Sequence, residues 1–235
     1  MTSPDSRLPA RSRLQYSLRG FFIAMTVAMI WLGLHTHAAR QQAAARRAIG
    51  DQGGQSLFDY QISGSARILF PAGLRSYLGE DLFATVVRVN FPLGKPENDD
   101  CLSALADLPH VTVINTEASS ISDAGLARIG TADLDCLRMI NSRVTDKGLS
   151  HLRGLVRLSM LDLTGNQITD AGLQDLASLE RLEYLTLRGT AVTDAGIQRL
   201  AGLQKLILLN VQDTHVTAEG AAALRRLLPN CQIVQ

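Results

Sequence analysis

The feature that most constrains this chain is a phrase that returns about every 24 residues. Ile/Val-Thr/Ser-Asp-x-Gly-Leu/Ile begins at Ile121, Val144, Ile168 and Val192, with a degraded copy at Val216. The steps between these starts are 23, 24, 24 and 24 residues. Between the phrases the apolar positions align. One unit holds Leu155, Leu158, Leu161, Leu163 and Ile168, the next Leu179, Leu182, Leu185, Leu187 and Val192, and the third Leu203, Leu206, Leu209, Val211 and Val216. A period of this length means one supersecondary unit copied along an axis, each copy burying its apolar face against its neighbours.

The internal pattern of a unit predicts its local structure. In Leu185-Thr186-Leu187 the leucines share one face and Thr186 takes the other, the two-residue period of a strand. By the same spacing Leu161, Leu163, Leu185, Leu187, Leu209 and Val211 form the structural core of the repeats. Three residues on stand Ser142, Asn166, Thr190 and Thr214, short polar side chains able to bond backbone groups buried in the turn. Thr145, Thr169 and Thr193 then cap short helices, and Asp170 and Asp194 put negative charge in the first turn. Gly172 and Gly196 cost helix propensity, which points to packing too close for a Cβ. Leu173, Leu176 and Leu179 close the convex side. In the terminal unit Ala218 replaces the aspartate and Pro229 ends the helix, so residues 217–235 read as a C-terminal cap.

The VTDAGLxxLxxLxxLxxLxLxxT phrase resembles the leucine-rich-repeat proteins of the bacterial kind abundant in planctomycetes. In those, a basic N-terminus and a single apolar helix precede a stretch like YLGEDLFATVVRV and then the repeats. The resemblance covers residues 78–235 well and 17–49 loosely, and departs at 92–120, where the first units lack the phrase. It implies an α/β leucine-rich-repeat solenoid, a curved parallel sheet with short helices on its convex side, preceded by a transmembrane helix. It also implies a membrane-anchored protein that binds a protein partner of unknown identity.

The first half is organised differently. Residues 1–50 carry seven arginines and one acid, Asp5, while residues 51–235 sum to −5. After a basic tail at 1–19, Gly20 to Ala39 is uncharged for twenty residues, about 30 Å as a helix and enough for a bilayer. Three readings compete for 20–39: a spanning anchor, a cleaved secretory signal with a poor cleavage site, and a buried helix of the folded domain. The anchor is the expectation, placing the chain in the cell membrane as a single-pass protein. Arg7, Arg11, Arg13 and Arg19 before the run outnumber Arg40, Arg46 and Arg47 after it, which favours a cytoplasmic N-terminus and repeats on the other side. Residues 40–54 read as a helical juxtamembrane linker. Residues 55–82 read as an N-terminal cap with short strands at Leu57–Ile62 and Ala66–Phe70, and 83–235 as the repeat domain.

Chemistry is thinly represented. Cys101, Cys136 and Cys231 have no CxxC spacing, and His110, His151 and His215 share no ligand spacing. Asp123, Asp146, Asp170 and Asp194 recur one repeat apart at capping positions, a row of caps and not a convergent acid pair. No phosphate-binding glycine motif is present. The folded part is net negative with scattered bases, against a nucleic-acid role. These features predict no enzyme, no cofactor, no metal and no small-molecule substrate. The expected contact surface is the concave sheet face. There one column holds Cys136, Met160, Tyr184 and Leu208, the next Arg138, Asp162, Thr186 and Asn210, and a third Ile140, Thr164, Arg188 and Gln212. Met160, Tyr184, Leu208, Asp162 and Arg188 are its candidate partner-binding residues, since tyrosine and arginine are frequent hot spots. The alternative is a structural element that self-assembles at the cell surface.

Overall fold

The computed structural model describes residues 18–59, 85–94, 98–130 and 132–235. The chain divides into two units, Met1–Ala38 and Ala39–Gln235. The strands expected at 66–70 and most of the expected cap at 55–82 lie outside the described residues.

One helix, Leu18–Asp51, occupies the first stretch. Among the described residues no helix is long and apolar enough to cross a membrane. Lack of charge is not sufficient for spanning. The apolar part, Phe21 to Leu34, gives about 21 Å of helix against ~30 Å of hydrocarbon, and His35, Thr36 and His37 follow it at once. The helix instead continues unbroken through Arg40, Gln41, Gln42, Arg46 and Arg47. This corrects the expected transmembrane or signal-anchor helix at 20–39. The membrane as a partner, the single-pass location with a cytoplasmic N-terminus, and the likeness to a membrane-anchored class are corrected with it.

Within Ala39–Gln235 the last turns of that helix bury Ala45 and Ile49. Gly54 follows, and a Cβ there would lie 2.5 Å from the Phe91 ring and 2.6 Å from Ile49. That contact fixes where the chain can leave the helix. Strand β1 (Gln55–Phe58) starts directly afterwards, and the Arg46 guanidinium sits 4.5 Å from the Phe58 ring centroid.

Among the described residues eight strands form one sheet in chain order. They are β1, β2 (Val86–Asn90), β3 (Val113–Glu117), β4 (Cys136–Ile140), β5 (Met160–Asp162), β6 (Tyr184–Thr186), β7 (Leu208–Asn210) and β8 (Gln232–Val234). β1 pairs antiparallel with β2, and every later pair is parallel. Each parallel return needs a crossover, and helices or 3-10 turns supply it: Asp100–Ser103, Asp123–Ile129, Asp146–Leu149, Asp170–Leu176, Asp194–Gln198 and Ala218–Leu227.

The register is a straight row. Val89, Ile114, Leu137, Leu161, Leu185, Leu209 and Ile233 pair in succession, and all are buried. Met139, Leu163, Leu187 and Val211 make a second buried row, and Leu149, Leu173 and Ile197 close the core from the helical side. At ~1.5–3 kcal/mol for each fully buried leucine, these rows are what holds the stack together.

The turns after the strands are satisfied by side chains. Asn166 donates from Nδ2 to the carbonyls of Met139 and Leu163, while its Oδ1 accepts from the Val144 N–H at 3.2 Å. Thr190 and Thr214 donate to the Leu187 and Val211 carbonyls at 2.6 Å. Just before them the chain passes through the left-handed region at equivalent positions. Gly165 (φ 69) and Gly189 (φ 67) take it freely, whereas Asn141 (φ 49) and Asp213 (φ 56) accept it through residue types that tolerate it.

Candidate functional site

Two features organise the repeat domain: a row of carboxylates that joins the repeats, and the open face of the sheet.

The carboxylate row follows from the recurring phrase. Asp170 Oδ1 accepts the Thr193 N–H at 2.8 Å, and its Oδ2 accepts the Thr193 hydroxyl at 2.6 Å. Thr193 in turn caps its own helix, its Oγ1 accepting from the Ala195 N–H at 3.2 Å. The same latch joins Asp99 to Ser122, Asp123 to Thr145, Asp146 to Thr169 and Asp194 to Thr217. Thr145, Thr169 and Thr193 cap their own helices and also donate to the unit before. The phrase glycine completes the latch: a Cβ on Gly148, Gly172, Gly196 or Gly220 would lie 2.0–2.5 Å from the preceding unit's carboxylate oxygen. Asp, Thr and Gly thus form one device spanning two repeats. Sequence reasoning assigned the aspartates to the helix dipole alone and missed their partners. A signal was available: Thr217 and Gly220 persist in the last phrase while Ala218 has lost the carboxylate, which only a forward-pointing contact explains.

Because both oxygens of each latch aspartate are engaged, the row is not a waiting ligand set. Among the described residues no group of three or more His, Cys, Asp or Glu side chains is placed to hold a metal. His110, His151 and His215 are exposed. Burial pushes the Cys101 thiol up to about 12, with Asp99 adding to the effect, and burial likewise raises Cys136 and Cys231. None is an activated nucleophile.

The open face lies opposite the buried row. Met160, Tyr184 and Leu208 pair directly across β5, β6 and β7. Met160 and Tyr184 are 37% and 38% exposed and Leu208 is half-buried, which makes a continuous apolar strip. Ile207, the residue before Leu208, is 46% exposed and was not anticipated from the repeat. The two charged candidates are engaged within the fold. Asp162 accepts the Thr164 hydroxyl at 2.6 Å and the Thr164 N–H at 3.1 Å, and faces Arg138 at 3.6 Å. Arg188 donates from Nε to Asp213 at 2.9 Å, so it is exposed but paired.

Beyond the N-terminal ends of the strands a shallow cleft of about 270 Å3 is lined by Asp135, Arg157, Ser159, Arg181, Glu183 and Lys205. The Arg157 guanidinium bridges Asp133 at 2.8 Å and Asp135 at 3.2 Å. On the helical side, Arg153 holds the buried carboxylate of Asp175 through Nε at 2.9 Å and a second, shorter contact.

Residues 158–177 match the family model described as Leucine Rich repeat. No curated protein matches the chain. Among solved structures, an internalin C2 from Listeria monocytogenes is 26% identical, with 57% of this chain and 54% of that one covered and a TM-score of 0.45. A leucine-rich-repeat protein of Leptospira interrogans is 16% identical over 72% of this chain and 40% of the other, at a TM-score of 0.49. A second internalin from Listeria monocytogenes, InlF, is 22% identical over 62% and 47%, at 0.43. The chain spans about half the length of these solved proteins or less. The matched segment is one leucine-rich repeat of the stack, and the membrane-anchored class expected from the planctomycete resemblance is overturned, since among the described residues no helix is long and apolar enough to cross a membrane. The recurrent carboxylates of this repeat architecture are consumed in joining its own units.

Proposed function

We propose that the chain binds another protein through the open face of β5, β6 and β7, with Tyr184 at the centre. The observation that supports this is the in-register strip of exposed Met160 and Tyr184 and half-buried Leu208, on a sheet whose opposite row is buried. The leucine rows and the latches need none of the three. An apolar strip bordered by polar columns is the composition of a protein-contact surface. Tyrosine there supplies large contact area at low entropic cost, with a hydroxyl that finds a partner on docking.

Arg188 serves as a rim residue in this reading, because docking must either keep or replace its pair with Asp213. Asp162 acts through shape: it holds the turn at Thr164 and orients Arg138.

The test is affinity capture by the full chain followed by titration of the captured protein against variants. Tyr184→Ala should weaken binding by ~2 kcal/mol or more, about thirtyfold. An unchanged affinity for Tyr184→Ala, Met160→Ala and Leu208→Ala alike would place the contact elsewhere. Sedimentation of the chain alone separates this reading from self-assembly, which predicts a concentration-dependent oligomer that Tyr184→Ala disperses.

A further inference from the structure

We infer that the partner segment is acidic as well as apolar, and that its carboxylates seat on Arg181 and Lys205 beside the Tyr184 strip. The inference rests on the proposed binding face and names the chemistry of what lies on it.

Three successive repeats place a cation at the same position, three residues before the strand: Arg157, Arg181 and Lys205. Consecutive strands stand ~4.8 Å apart, so the three follow one another along the sheet edge, and all three line the same cleft. Only the first is neutralised, by Asp133 and Asp135. Among the described residues Arg181 and Lys205 form no ion pair. Glu183 faces the same cleft and offsets one of the two charges, leaving a surplus cation. Like charges one repeat apart repel, and an incoming carboxylate relieves that repulsion where an apolar or basic segment does not.

The cleft is continuous with the apolar strip through the chain itself. Ile207 and Leu208 follow Lys205 by two and three residues, and Glu183 and Tyr184 follow Arg181 likewise. Both segments are tied down at one point, where the Glu183 carbonyl accepts the N–H groups of Ile207 and Leu208 at 2.8 and 3.0 Å. An extended segment laid across β6 and β7 therefore meets Tyr184 and Leu208 with one side and the two free cations with its edge. A segment alternating apolar and acidic residues satisfies both. Arginine contributes a planar fork that takes a carboxylate with two bonds.

The experiment uses three labelled peptides of equal length, alternating Leu with Asp, with Gln or with Lys, titrated into the full chain by fluorescence anisotropy. The Asp peptide should bind about threefold tighter than the Gln peptide, the effect of one exposed ion pair, and the Lys peptide weakest. The Asp advantage should shrink in high salt. It should vanish in the Arg181→Gln, Lys205→Gln double variant, whose exposed positions leave the fold intact. Equal binding of the Asp and Gln peptides, or an Asp advantage that survives the double variant, overturns the acidic seat. If Tyr184→Ala still weakens all three peptides in that case, the open face stands and only the acidic preference fails. Binding of none of the three, or binding indifferent to Tyr184→Ala, overturns the seat together with the face on which it rests.

Discussion

Asp170 and Gly196, in consecutive repeats, share one small space: a Cβ on Gly196 would lie 2.1 Å from the Asp170 Oδ1 and 3.1 Å from its Cα. The carboxylate occupies that space in order to reach Thr193. Gly196→Ala should therefore destabilise the fold by about 1–3 kcal/mol through overpacking. Asp170→Ala should cost a similar amount by leaving the Thr193 donors unpaired. The double variant should lose clearly less than the sum, by ~0.5 kcal/mol or more, since contacting residues are coupled. Urea unfolding midpoints at unchanged slope measure all three. Strict additivity would show that the glycine is not there for the carboxylate.

Leu185 and Tyr184 are neighbours in sequence with opposite roles. Leu185→Ala opens a cavity in a fully buried row and should cost ~2–5 kcal/mol. Tyr184→Ala, on the open face, should change stability by no more than ~0.5 kcal/mol. Comparable losses from the two would mean that Tyr184 belongs to the core.

Arg153 and Arg157 differ in what they leave behind. Removing Arg153 exposes no partner to water, because the Asp175 carboxylate it holds is buried. Arg153→Ala should cost about 1–3 kcal/mol, as a buried group loses its charged partner. Arg157 and its two aspartates are open to solvent, so Arg157→Ala should change the same thermal or urea midpoint very little. A reversed order would sink this account.

The buried Cys101 thiol gives a sign for alkaline pH. Its value is raised from 9.0 to about 12 in the folded chain, first by burial and then by Asp99. The folded state thus holds a proton that the unfolded state releases. Its contribution to stability is complete below about pH 9 and is lost as pH rises toward about 12. Between these limits the wild type should lose urea resistance more steeply than Cys101→Ala. Parallel pH profiles would show that the thiol is not linked to folding.

Much of the fold was legible because leucines of period two inside a period of 24 leave few alternatives. Every ladder residue named from spacing, from Leu161 to Val211, is buried, and Met160, Tyr184 and Leu208 fall in register on the other face. What spacing could not give was contact between units. Asp170 read as a helix-dipole partner because its donor, Thr193, is 23 residues away, and only stacking brings them together. The ion pairs of Arg188 with Asp213 and of Arg153 with Asp175 escaped for the same reason. The first helix shows a different failure. Twenty uncharged residues satisfied a charge count, while His35, Thr36 and His37 had already ended the apolar part.

The latch also sets a grammar for how such a chain can change length. Each carboxylate reaches forward to the next threonine and each glycine makes room for the carboxylate behind it, so a whole unit can be duplicated or excised between Ser122 and Thr217 without orphaning a bond. A cut that is not a multiple of the period breaks that rhyme at both ends. Ala218 acts as the full stop: a unit copied in after it would present its threonine to a methyl group. Growth by copying is therefore open in the interior and closed at that one position, unless the alanine first reverts to aspartate.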